Sequence, residues 1–263
     1  MMHGKARKRI FSACMVCIFM NLPACGDNGD KTAGNAAQAV APDAPSGNGR
    51  EAGTLTNKDI IAAAGSGDLD KVRKGAEQGN AMAQTNLGLR YFYGDGFARN
   101  EAAGNEWFRK AANKGFAPAQ YNLGLSYTHG LGVPQDHQQA VELYCKSAEQ
   151  GFAPAQAALG AAYLSGLGVD KDYRKGAEWS KKAAEKGQRN AMYNLAVAYS
   201  RGQGVSKDLV QSYKWFSLAA SGEKDARTRQ AADKMAEIVP QMTPGQVQEA
   251  KTLAKEWTPS KLR

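Results

Sequence analysis

From Asn80 to Gly115 the chain reads NAMAQTNLGLRYFYGDGFARNEAAGNEWFRKAANKG, and from Phe116 to Gly151 it reads FAPAQYNLGLSYTHGLGVPQDHQQAVELYCKSAEQG. The second stretch is the first displaced by 36 residues, and the same step continues almost unchanged to Gly222. Gly79, Gly115, Gly151 and Gly187 keep it, as do Tyr91, Tyr127, Tyr163 and Tyr199. So do the loop pairs Gly94/Gly96, Gly130/Gly132, Gly166/Gly168 and Gly202/Gly204, while Trp107, Trp179 and Trp215 share a column with Leu143. A period of roughly 20–50 residues is the mark of a solenoid, in which one small unit cannot bury its apolar face alone and stacks on its neighbours.

Each unit reads as two helices. The first opens near Ala-Pro-Ala-Gln, where Pro118 and Pro154 suit the first helical turn. Its apolar positions, such as Leu123, Gly124 and Tyr127, share one face. A column of small residues (Gly88, Gly124, Gly160 and Ala196) permits close helix approach. The Gly-x-Gly loop ends this helix, because glycine tolerates positive φ. Asn100, Asp136, Asp172 and Asp208 then stand in the N-cap column of the second helix. Residues 57–79 read as a degenerate opening pair. At the other end, residues 226–239 and 244–257 read as two capping helices, the last with an apolar stripe of Val247, Ala250, Leu253, Ala254 and Trp257.

These residues carry a resemblance. The pattern A-x-A-Q-x-N-L-G-x-x-Y-x-x-G-x-G-V-x-x-D-x-x-x-A-x-x-W-x-x-K-A-A-x-x-G resembles the Sel-1-like repeat, a relative of the tetratricopeptide repeat. It fits four copies: Asn80–Gly115, Phe116–Gly151, Phe152–Gly187 and Gln188–Gly222. Departures are local, with Phe97-Ala98 in place of Gly-Val, Leu143 in place of Trp and Ala196 in place of Gly. The fold implied is all-α, a right-handed α/α solenoid with helical caps. Four repeats would span residues 80–222, and caps residues 223–263.

The start of the chain is an address. Met1 to Arg9 holds four of the 34 Lys and Arg and no acid, so the formal +9 shrinks to 30 basic groups against 25 acidic beyond it. The apolar run from Ile10 to Leu22 is too short to cross a bilayer as a helix, which takes roughly 20 residues. It ends in Leu22-Pro23-Ala24-Cys25-Gly26, which resembles a bacterial lipobox. That resemblance implies a signal peptide over residues 1–24, a lipidated Cys25 and attachment to a membrane, usually the outer membrane facing the periplasm. Residues 25–56 hold Gly, Ala, Asn, Asp and Pro with no aromatic residue, the composition of a flexible tether. With Cys14 and Cys17 lost with the leader and Cys25 acylated, Cys145 would be left as a small buried apolar residue without an intramolecular disulfide.

Motifs for chemistry are sparse. His129 and His137 have no Cys or carboxylate at ligand spacing, so no metal site is expected, and no cofactor. The Gly-x-Gly pairs follow no strand, so they are loops rather than phosphate cradles. Lys and Arg alternate with acids and the aromatics recur at core spacing, which argues against nucleic acid. Ser180-Lys181-Lys182 lacks the Ser-x-x-Lys spacing of β-lactamase-like relatives. The chain is therefore read as no enzyme; the alternative of a weak β-lactamase-like activity is disfavoured.

What remains is surface. In tetratricopeptide relatives the first helices line the concave face, and the resemblance places sixteen positions there. They are Thr85, Leu89, Phe92 and Tyr93; Tyr121, Leu125, Thr128 and His129; Ala157, Ala161, Leu164 and Ser165; and Tyr193, Val197, Ser200 and Arg201. Unlike the core columns, these change chemistry between copies, as a recognition surface requires. Asn86, Asn122 and Asn194 read as structural. The function implied is a scaffold for a protein partner, in its sharpest version an immunity protein against a secreted phospholipase or lipase effector. An envelope-assembly or host-interaction scaffold is the alternative.

Overall fold

The computed structural model describes residues 68–221 and 226–259. The leader, Cys25, the tether, the first part of the 57–79 pair and the last four residues lie outside them. Eleven α-helices run through the described residues: α1 Leu69–Glu77, α2 Ala81–Tyr93, α3 Glu101–Ala112, α4 Ala117–His129, α5 His137–Glu149, α6 Ala153–Ser165, α7 Tyr173–Glu185, α8 Arg189–Arg201, α9 Leu209–Ala219, α10 Ala226–Ile238 and α11 Pro244–Glu256. A 3-10 turn, Val239–Gln241, joins the last two, and no strand occurs among the described residues.

The helix starts follow the side chains expected of them. Asn100 and Asp172 accept the backbone N–H three residues on, at 3.0 and 2.9 Å, and Asp136 accepts two, from Gln138 and Gln139. Asp208 does the same for Gln211 at 2.9 Å. Each such cap contributes about 1 kcal/mol by satisfying a donor that the helix itself cannot. The alternate helices start differently. Phe116 and Phe152 precede α4 and α6 with no side-chain cap, and Pro118 and Pro154 stand in the first turn, where a missing N–H costs nothing.

Consecutive helices pack as antiparallel neighbours through the repeats: α2 on α3, α4 on α5, α6 on α7 and α8 on α9 within units, with α3 on α4, α5 on α6 and α7 on α8 between them, whereas α10 and α11 both pack on α9. Within a unit the small column sets the distance. A Cβ at Gly124 would come within 2.7 Å of the Tyr144 ring and 3.2 Å of the Ala140 carbonyl. Each interface has its own apolar cluster, such as Phe108, Ala111, Ala119 and Leu123 between the first two units. At the far end Trp215 is 4% exposed, meets Trp257 edge-on at 5.9 Å, and shares a cluster with Ala231, Ile238 and Ala250. The stripe read on the last helix thus covers the open end of the final repeat, with Ala250 fully buried and Val247, Leu253, Ala254 and Trp257 half-buried.

Two expectations need adjustment. Of residues 57–79, read as an opening pair, only α1 lies within the described residues, with Val72 and Ala76 buried against Ala83 and Leu87. Cys145 is buried as expected but is disulfide-bonded. The expectation of no disulfide had assumed that every other cysteine is removed or acylated.

The second glycine of each loop carries the contact between units. A Cβ at Gly132 would lie 2.6 Å from the Ala102 nitrogen at the start of α3, and one at Gly168 would lie 2.7 Å from the His137 carbonyl at the start of α5. At Gly204 it would run into the Tyr173 carbonyl. Gly115 also has positive φ, yet nothing lies within 4 Å of its would-be Cβ. Gly115→Ala should therefore cost about 1–2 kcal/mol, the left-handed penalty alone. Gly204→Ala should cost that plus about 1–3 kcal/mol of overpacking. Urea unfolding of both variants checks the difference; equal losses would place the unit contact elsewhere.

Candidate functional site: the inner helical face

The first helices of successive units touch one another, α2 with α4 and α6 with α8, whereas no two successive second helices pack to that extent among the described residues. A stack whose first helices lie closer together curves toward them, so α2, α4, α6 and α8 form the inner face. Their side chains at the expected positions divide into three groups.

Three of the sixteen are buried. Thr85 is 5% exposed and its hydroxyl donates to the Ala81 carbonyl at 2.8 Å. Thr128 meets the Tyr144 hydroxyl at 2.8 Å and the Gly124 carbonyl at 2.9 Å. Ala157 packs into the cluster of Ala183, Ala191 and Leu195. These three shape the floor rather than present side chains to a partner, because each helix faces its own unit's second helix over part of the same arc. Leu89, Phe92, Tyr121, Leu125, His129, Ala161, Leu164, Ser165, Tyr193, Val197 and Ser200 are half-buried. Tyr93 and Arg201 stand exposed, Tyr93 at 65%.

The aromatic side chains are braced from beneath. The Phe92 ring lies 6.0 Å from Phe108 and 5.4 Å from Tyr93. Tyr121 is held between Tyr144 at 5.9 Å and Phe152 at 5.6 Å. Rigid aromatic rings with few rotatable bonds lose little entropy on contact, which suits them as anchors at an interface. The fourth unit differs. Tyr193 and Val197 belong to the cluster that contains Met235, Ile238 and Trp257 of the C-terminal cap. Burial raises the Tyr193 phenol above its ordinary value, while Lys234 of α10 and Arg201 pull it back and Glu237 pushes it up. The cap helices, which carry no trace of the repeat, thus crowd the inner face at that end. The more open stretch belongs to the first three units.

Asn86 and Arg90 are structural, as the Asn column was read to be. The Asn86 carbonyl oxygen accepts from Arg90 Nε at 3.0 Å, and the buried guanidinium also meets Asp95 at 3.1 Å. Sequence reasoning missed the role of the buried glutamines in Ala-x-Ala-Gln. Gln84 and Gln156 each donate at 3.1 Å to a last-turn carbonyl of the preceding helix, Ala76 and Ala148. The recurring Gln in the motif was the available signal. No group of three or more metal-ligating side chains occurs among the described residues.

The geometry defines a class: a curved stack of antiparallel helix pairs, capped at its C-terminal end, of the kind suited to protein–protein interaction. The Sel1 repeat matches residues 81–116, 117–152, 153–188 and 189–223, more than half of the chain, and the chain belongs to the Sel1 repeat family. Its fold is similar to that of a Sel1 repeat protein from Oxalobacter formigenes, at 28% identity and a TM-score of 0.61, covering 76% of this chain and 84% of that one. It is also similar to c5321, a protective antigen of uropathogenic Escherichia coli strains displaying an SLR fold, at 32% identity and a TM-score of 0.46; the match covers 72% of this chain and 48% of that one. A third likeness is to the immunity protein Pa5087 from Pseudomonas aeruginosa, at 18% identity and a TM-score of 0.43, over 72% of this chain and 70% of that one. Among curated proteins, none matches the chain.

His129 gives this face a pH response. Burial first, and the nearby His137 second, hold its imidazole below the ordinary 6.5. The unfolded chain takes up that proton at the ordinary value, so the native state is fully stable above pH 6.5 and loses stability as the pH falls from there through the lower native value. An NMR titration should place the His129 midpoint below 6.5. His137→Gln should raise it only part of the way, since burial is the larger cause. Full recovery in that variant would make the His–His repulsion dominant instead.

Proposed function

We propose that this chain is a non-enzymatic scaffold that holds a protein segment along the inner face of its first three units, tethered to a membrane by lipid on Cys25. One observation carries the binding role: an inner position left open to solvent changes from Tyr93 to His129 to Ser165, while the core columns repeat. A face under purely structural constraint has no reason to vary while its neighbours stay fixed. The mixture of braced aromatics, aliphatics and the exposed Tyr93 suits a segment whose anchors are apolar side chains.

The membrane attachment draws on Leu22-Pro23-Ala24-Cys25 and on the tether composition. No helix among the described residues is long and apolar enough to cross a membrane. More than one acyl chain makes such an anchor stable. Residues 25–56 would let the solenoid reach about 30 Å from the surface, at roughly 5–6 Å × √n for a flexible chain. In its sharpest form the partner is a secreted phospholipase or lipase effector arriving in the periplasm, and the chain is the immunity protein that occupies it. The combination of lipobox, tether and solenoid supports that version.

Three outcomes are expected. Cys25→Ser should move the exported chain from the membrane fraction to the soluble one. Cells expressing the intact chain should survive a periplasmically delivered phospholipase effector that kills cells without it; unchanged killing sinks the immunity version. The partner so identified should bind a Tyr93→Ser variant about tenfold or more weakly, as for the loss of one interface anchor worth more than about 1.4 kcal/mol. Tyr93 is exposed, so folding should be unaffected, and unaltered affinity would remove the inner face from the reading.

A further inference from the structure

The glutamine at the start of the first helix in units one to three also faces the second helices, where the units alternate. In the second unit Gln120 donates to the Ala112 carbonyl, and its own side-chain oxygen accepts from the Gln150 amide at 2.8 Å. That same Gln150 nitrogen gives its other hydrogen to the Lys146 carbonyl at 3.0 Å. One unit earlier and one unit later the place of Gln150 is held by lysine, Lys114 and Lys186. Both ammonium groups reach a glycine carbonyl instead: Lys114 that of Gly79, and Lys186 that of Gly151 at 2.6 Å. The consequence is the same twice. Gln84 Oε1 and Gln156 Oε1 are buried with no hydrogen-bond donor, on side chains each 4% exposed.

At the third unit this glutamine lines a groove of about 320 Å³ together with Glu149, Trp179, Lys182, Glu185 and Lys186. The Lys182 ammonium sits 4.1 Å from the Trp179 ring centroid, as Lys110 sits 3.8 Å from that of Trp107 two units back. Two carboxylates and two ammonium groups balance, so the groove selects for a neutral guest. A buried acceptor lacking its donor costs about 1–3 kcal/mol, which a guest N–H recovers.

We propose that the outer groove at Trp179 binds a primary carboxamide, the side chain of a Gln or Asn on a protein partner. The guest would take the position that Gln150 fills from within the chain at the second unit. Its NH₂ would donate to Gln156 Oε1, and its carbonyl would accept from Lys186. A Glu or Asp side chain has the same shape but no donor, and would set a carboxylate oxygen against a buried carbonyl. The site stands apart from the inner face, so it holds or fails independently of the function proposed above.

The test is an NMR titration of the full chain in detergent, observing the tryptophan indole N–H signals. The probes are two synthetic peptides, acetyl-Gly-Gln-Gly-amide and acetyl-Gly-Glu-Gly-amide. The Gln peptide should shift the Trp179 signal and leave the buried Trp215 still, with the Glu peptide about tenfold or more weaker. Lys186→Gln, which copies the pairing already made by Gln150, should abolish the Trp179 response. The proposal is overturned if the Trp179 signal does not move, if both peptides act equally, or if Lys186→Gln leaves the Trp179 response intact.

Discussion

The approach of one unit's loop to the next unit's backbone, with no space left for a side chain, is what the rest of this molecule depends on. At Gly132 and Gly168 a single added carbon would meet backbone of the preceding second helix within 2.6–2.7 Å. That contact fixes how far each unit rises and turns relative to the last. Once it is fixed, the apolar clusters between units can close at the density of a packed interior, and the same small set of side chains can be reused four times. The cost of a substitution there is local in sequence but is felt by both units.

The polar links between units use the same economy. A buried glutamine ties the first helix of each of the first three units to the end of the helix before it, and what happens at its side-chain oxygen depends on one residue in the 36-residue cycle. Gln150 closes the second unit, whereas Lys114 and Lys186 bridge to glycine carbonyls and leave Gln84 and Gln156 open. Small changes within a fixed column thus alter the surface without altering the fold. The inner face shows the same principle on a larger scale, where Tyr93, His129 and Ser165 occupy one position in successive units.

Much of the fold was legible because its determinants are local. The N-cap role of Asp136, Asp172 and Asp208 is a matter of one side chain and an N–H two or three residues on, and it holds at each. The candidate face was legible in part. Position in a repeat places Thr128 on the inner helix, but it does not reveal that the Tyr144 hydroxyl takes it inward. Nor does it place Tyr193 beside a cap helix that shares no pattern with the repeats. The disulfide at Cys145 was missed for another reason, since the reading had removed its possible partners from the count.

By itself the sequence determined the period, the helix ends, the small-residue columns and the membership of the repeat family, since each is set by spacing along the chain and by backbone preferences of single residues. Only the tertiary structure decided which inner positions stay open, which are taken by the cap, and which buried carbonyls lack a donor. Those depend on what lies across from a residue in space, and identical columns acquire different neighbours wherever an adjoining column changes.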